Sequence, residues 1–331
     1  MRGKSQTRAQ PRPGAIVALL TALVFALAVA GCGDGGADNE GGGERRANLI
    51  EENADNNGVE ITVGSKNFTE QYILGEIYAQ ALDAAGYDVS THLNLGSEQV
   101  ALRALEEGEI DAYPEYTSTA LTSFFDFGPD EVPADPQQAF EESQDDFEKL
   151  GLVAYPPTPF SSANAVGLLT ETADELGVST ISDLEGKSQD LTLYGAPECR
   201  QRIDCLVGLE RDYGLEFKQF VPVDIARRYE VLDRDEADLS ILFTTDAQLF
   251  VSDNYVILED DKDVLPAGNV LFVARRQTAD EAGPGFGNTI ASVQENLTLE
   301  VMQELNARVD VDHEKPAEVA RRYLVEFGYV R

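Results

Sequence analysis

Basic side chains are scarce in this sequence. It has 25 Lys+Arg against 60 Asp+Glu, a formal charge of -35 over 331 residues. That balance excludes a nucleic-acid partner, whose phosphates it would repel. The acidity reads as a well-solvated surface. Between Lys4 and Lys149 the sole lysine is Lys66, so it is not one of a coat of surface lysines. The two histidines, His92 and His313, lie far apart and read as surface residues. Of the three cysteines, Cys199 and Cys205 have no clustered histidine and make a poor zinc site, so no metal is expected. The chain has no G-x-S-x-G elbow, no P-loop, no H-E-x-x-H and no Cys–His couple. Glu115 and Asp246 are the carboxylates one would pair as acid and base. They are read more simply as helix caps or hinge hydrogen-bonders. No enzyme and no cofactor are expected. The chain does have 43% hydrophobic and 8% aromatic residues, enough to fold, and the length for two domains.

The N-terminus carries a strong signal. Arg2, Lys4, Arg8 and Arg12 precede "AIVALLTALVFALAVA" (15–30), an uncharged run of 16 residues. That is short for a membrane span of about 20 residues and suits the apolar region of an export signal. It ends in "VAGC", which resembles the lipobox of bacterial lipoproteins, with Cys32 as the lipid-bearing first residue. An uncleaved short anchor is the alternative. Lipidation of Cys32 leaves Cys199 and Cys205, six residues apart in an oxidising compartment. They read as a small-loop disulfide, with two free thiols as the alternative. Residues 32–58 are Gly-, Asn- and charge-rich and read as a flexible tether.

Structure begins at "VEITVGS", an alternating strand. Ile73, Leu74, Ile77, Tyr78, Ala81, Leu82 and Ala85 then mark one face of a helix. Asn67 and Glu70 have capping-box spacing, and Gly86 sits where a helix stops. The strand "VSTHLNL", a helix opened by Ser97 and the strand "EIDAYPEY" complete two parallel βαβ units. The pattern restarts near Phe160, with a second capping box at Ser182 and Glu185. The segments "QRIDCLVGLERDYG" and "IARRYEVLDRDE" read as helices between strands. Beyond Lys262 come one strand and three helices, too few for a third domain, so the chain is expected to return to the first lobe. Residues 59–159 and 262–331 then form lobe 1, and 160–261 lobe 2. This is an α/β clamp of two mostly parallel sheets, with its ligand cleft beyond the carboxyl ends of the strands.

"GSKNFTEQYILGE", with "IDAYPEYTSTAL" some forty residues on, resembles the substrate-binding proteins of bacterial ABC importers for glycine betaine, choline and related compatible solutes. The resemblance runs from about Val59 to Arg331. It implies a periplasmic-binding-protein-like fold of type II and a lipid-anchored, extracytoplasmic, monomeric protein that delivers solute to a membrane permease. "APECRQRIDC" looks like the branch of the family with a short disulfide at this point. By position, the ligand carboxylate falls to Lys66, Thr119 and Arg202. The aromatic box for a quaternary ammonium falls to Tyr116, Asn164, Phe243 and Ala267, of which two are not aromatic. Phe160, Tyr194, Tyr229 and Tyr255 are the candidates to rebuild it. A ligand-sensing module for a membrane receptor would read the same way, as would a binder of another carboxylated solute. Neither the solute nor the partner permease is legible.

Overall fold

The computed structural model describes residues 48–331. The expected signal peptide, Cys32 and the start of the tether lie outside the described residues.

The first half of the chain alternates strand and helix. In order come β1 (Glu60–Gly64), α1 (Thr69–Ala84), β2 (Asp88–His92), α2 (Glu98–Glu107), β3 (Ala112–Tyr116), α3 (Thr117–Phe124), α4 (Pro136–Lys149), β4 (Leu152–Ala154) and β5 (Ser161–Ser162). The middle holds β6 (Asn164–Leu169), α5 (Thr170–Leu176), β7 (Thr192–Gly195), α6 (Leu206–Arg211) and β8 (Gln219–Pro222). Next come α7 (Glu230–Asp233), β9 (Leu239–Phe243), α8 (Ala247–Val251) and β10 (Tyr255–Ile257). The chain ends with β11 (Gly268–Arg275), α9 (Arg276–Ala282), α10 (Pro284–Gln294), α11 (Leu299–Asp310) and α12 (Pro316–Glu326).

Two sheets result. One runs β2-β1-β3-β11-β4, with β5 on the end of β11, and the other runs β10-β6-β9-β7-β8. Strands joined by helical crossovers are parallel: β2, β1 and β3 in the first sheet, and β8, β7 and β9 in the second. Both sheets are mixed, because the strand that follows each passage between lobes enters its sheet antiparallel. β6 pairs antiparallel with β9, and β11 with β3.

The C-terminal helices complete the first lobe. Phe286, Ile290, Val293, Met302, Leu305, Tyr323 and Leu324 share one core with Ile73, Leu74, Ile77 and Tyr78 of α1. The α1 periodicity therefore covers the sheet and receives the chain end as well. A separate core in the second lobe gathers Leu168, Ile181, Leu193, Leu209 and Leu239.

Several local readings change. Residues 48–58, assigned to the tether, lie against lobe 1: Ile50 N donates to Tyr329 O (2.9 Å), and buried Asn56 donates to Ala85 O (2.8 Å). Ser161 and Ser162 pair with β11, while Val264 and Leu265 belong to the second core, so lobe 2 spans about 164–265. α1 starts at Thr69 after Phe68, with no side-chain cap, so the Asn67–Glu70 box does not form. The Ser182–Glu185 box is replaced by Thr180 and Asp183, which cap each other's backbone N–H (2.9 and 3.2 Å). The helix expected around Cys205 is confined to α6, because a disulfide and a short 3-10 turn hold the residues before it. "IARRYEVLDRDE" gives only a 3-10 turn and α7.

Candidate functional site

Four of the side chains expected at the ligand follow or end a strand: Lys66, Tyr116, Arg202 and Phe243. Lys66 comes two residues after β1, and Tyr116 and Phe243 end β3 and β9. Arg202 lies in the loop after β7, and Asn164 opens β6 directly opposite Phe243. Thr119 sits in the first turn of α3. Lys66, Tyr116, Thr119, Asn164, Arg202 and Phe243 all line one cleft between the two sheets, while Ala267 does not and its neighbour Pro266 does. The cavity holds about 90 Å3.

One wall is aromatic. Phe68, the residue before α1, stacks on Tyr116 (6.3 Å between centroids, 21° between planes) and packs on Phe243 (5.1 Å). Phe68 was not singled out in the sequence, although it lies inside the motif that holds Lys66. Phe160, Tyr194, Tyr229 and Tyr255 do not rebuild a box: none lines the cleft. Phe160 is core in lobe 1, and Tyr229 packs edge-on against Tyr255 (4.8 Å). The chain's own cations also sit on this wall. Lys66 Nζ lies 4.5 Å from the Tyr116 ring centre, and the Arg228 guanidinium lies 5.1 Å from that of Phe243.

The second wall is a set of donors held by carboxylates. Lys66 pairs with Glu115, whose other oxygen accepts from Tyr113 Oη (3.0 Å). Arg202 donates through Nε to Asp204 Oδ1 (2.7 Å) and through Nη2 to Asp204 Oδ2, a bidentate fork. It also reaches across to lobe 1, to Thr119 Oγ1 (3.4 Å) and Glu98 Oε2 (3.4 Å). Burial alone pulls the Arg202 pKa down, but Asp204 and Glu98 outweigh it and raise it, so the guanidinium stays charged. Cys199 and Cys205 are joined by a disulfide that closes the loop carrying Arg202 and Asp204. Asn164 Nδ2 donates to Asp204 O (2.9 Å) and steadies the same loop. α3 begins at the cleft with no side chain capping it, and Ser118 and Thr119 face the cavity. The open N-terminal end of a helix favours an anion. Gly268 lets β11 pass close by: a Cβ there would meet Ser118 N at 2.6 Å.

Arg228 also went unnoticed in the sequence. It lines the cleft, donates to both oxygens of Asp246 (2.9 and 2.5 Å) and to Ile225 O (2.6 Å), and lies over the Phe243 ring. Asp246 accepts from Phe243 N (2.9 Å) and Tyr229 Oη (3.0 Å) as well. It is thus a structural anchor for Arg228, and neither it nor Glu115 is a free acid or base. Among the described residues no group of three or more His, Cys, Asp or Glu could hold a metal ion.

A two-lobed α/β clamp with a small mixed polar and aromatic cleft defines a solute-binding protein. A solved structure described as a glycine betaine/carnitine/choline ABC transporter shares the fold, with a TM-score of 0.64 at 24% identity over 81% of this chain and 99% of that one. The family model described as the substrate binding domain of ABC-type glycine betaine transport systems matches residues 59–326. The glycine-betaine-binding protein of Pseudomonas aeruginosa is 32% identical over 277 residues, 80% of this chain and 87% of that protein. The ergothioneine transport permease/ergothioneine binding protein EgtU of Helicobacter pylori is 28% identical over 81% of this chain and 48% of that longer protein. The chain belongs to the family of substrate-binding domains of ABC-type glycine betaine transport systems. These are solute-binding proteins rather than enzymes, and in importers they work outside the cytoplasm beside a permease.

Proposed function

We propose that the chain is the lipid-anchored, monomeric binding component of an ABC importer, and that it takes a small betaine-type zwitterion by closing its two lobes. One observation carries this reading. A single cavity of about 90 Å3 is bounded by the Phe68–Tyr116–Phe243 wall and by the donors Lys66, Thr119 and Arg202. An aromatic face suits a trimethylammonium, and ammonium and guanidinium donors suit a carboxylate. Glycine betaine, carnitine and ergothioneine, which occur in the names of its relatives, all join those two groups. Arg202 reaches both Thr119 and Glu98 across the cleft, which suits a clamp that grips solute and holds itself shut with the same side chain. The lipid anchor rests on the "VAGC" stretch at Cys32.

Titration calorimetry with glycine betaine, carnitine, ergothioneine, choline and ectoine tests the proposal. We expect the trimethylammonium carboxylates to bind best. Choline, which has no carboxylate, binding more tightly than all of them would refute the role given to the donors. No heat from any of the five would refute the ligand class. Loss of solute uptake after Cys32→Ala, with the protein still made, tests the anchor.

A further inference from the structure

Among the described residues five carboxylates are buried: Glu70, Glu98, Glu115, Asp204 and Asp246. Four have a lysine or arginine within salt-bridge distance: Glu98 and Asp204 share Arg202, Glu115 has Lys66 and Asp246 has Arg228. Glu70 is different. It is 3% exposed, and its hydrogen-bond partners are neutral. Tyr116 Oη donates to its Oε1 (2.7 Å), and Asn306 Nδ2 donates to its Oε2 (2.9 Å). Asn306 also donates to Thr245 O (3.0 Å), in the other lobe.

A buried carboxylate is costly without a counter-ion, and a buried pair that lacks one partner is costlier than none. Such a group persists protonated, or ionised where a cation from outside the fold completes it. Glu70 sits behind Tyr116, at the phenol end of the aromatic wall. When ionised, it adds negative charge to the potential on that ring's face, in surroundings with little water to screen it.

We infer that Glu70 is a specificity-determining positioning residue: through Tyr116 it supplies the negative charge that matches the cationic end of the solute. This rests on the betaine reading above. Glu70 does not line the cleft and touches solute only through the Tyr116 ring. Its hydrogen bond fixes the ring, and its charge favours a quaternary ammonium over a neutral group of the same shape. The titratable and charged groups facing it are Tyr116 at the end of β3 and Asp246 in the loop after β9, the latter held by Arg228, with the Lys66–Glu115 pair beyond Tyr116. Burial raises the Glu70 pKa, while the hydrogen bonds from Tyr116, Asn306 and Thr245 oppose the rise. A bound cation stabilises the ionised form, so binding releases a proton and affinity rises with pH through Glu70's own range.

The test uses the mature protein with glycine betaine and 3,3-dimethylbutanoate, which has carbon in place of the charged nitrogen. We expect Glu70→Gln to weaken glycine betaine at least about tenfold and to leave 3,3-dimethylbutanoate unchanged or tighter. The rise of glycine betaine affinity with pH should flatten in the variant. Tyr116→Phe keeps the ring but cuts the link to Glu70, and should lose selectivity in the same direction without loss of fold. Equal weakening of both ligands, or an unchanged pH profile, overturns the inference and leaves the betaine reading standing. If wild-type protein binds glycine betaine no better than its neutral-headed analogue, both fall.

Discussion

Arg202→Ala tests the charge arrangement of the cleft most directly. Arg202 is the shared counter-ion of Asp204 and Glu98, whose side chains are 5% and 6% exposed. Removing it strands two carboxylates. Breaking a buried ion pair from one side costs about 3–5 kcal/mol. Against a typical folding stability of about 5–15 kcal/mol that is a large share. For a domain of this size it lowers the melting midpoint by roughly 10 °C. Far-UV circular dichroism melts at neutral pH read this directly, since the chain has no tryptophan for fluorescence. Glu98→Gln in the Arg202→Ala background should recover part of the loss. A deficit under about 1 kcal/mol, or no recovery from Glu98→Gln, would refute the idea that Arg202 neutralises both acids.

Other outcomes follow from the same geometry. Phe68→Ala removes the stack on Tyr116 and Phe243, each aromatic pair worth about 0.5–1.5 kcal/mol. It should cut glycine betaine affinity roughly tenfold by calorimetry while Phe68→Tyr keeps most of it. Reducing the Cys199–Cys205 disulfide frees a short loop worth about 2 kcal/mol in the chain-entropy view. Because Arg202 and Asp204 lie inside that loop, solute affinity should fall on adding dithiothreitol and return on reoxidation. Glu70 has a raised folded pKa, so its contribution to stability is full below the unfolded value and is lost as pH rises through the folded one. Glu70→Gln should remove that loss, and the variant should gain on wild type in urea unfolding as pH rises from about 4.5 toward 8.

The sequence by itself determined the parts of this protein that depend on short-range pattern. Helical spacing from Ile73 to Ala85 gave α1, alternation at "VEITVGS" gave β1, and the strand–helix–strand order gave two α/β lobes. Six residues named from their motifs line one cleft because the motif segments fall at strand ends, where a parallel sheet gathers its loops. What the tertiary structure decided was the partnership of each charged or aromatic group. Glu70 reads as a helix cap from its spacing to Asn67. Folded, it binds Tyr116 and Asn306, 46 and 236 residues away. Phe68 is one aromatic among many until stacking on Tyr116 places it in the wall, and Arg228 is one surface-type arginine until Asp246 holds it over Phe243. Ala267 matches a box position in the sequence yet lies off the cleft, with Pro266 on it instead. Backbone hydrogen bonding and amphipathic periodicity act over a few residues and leave a trace in sequence. The pairing of buried charges acts across the fold, between residues that become neighbours only when the two lobes are built.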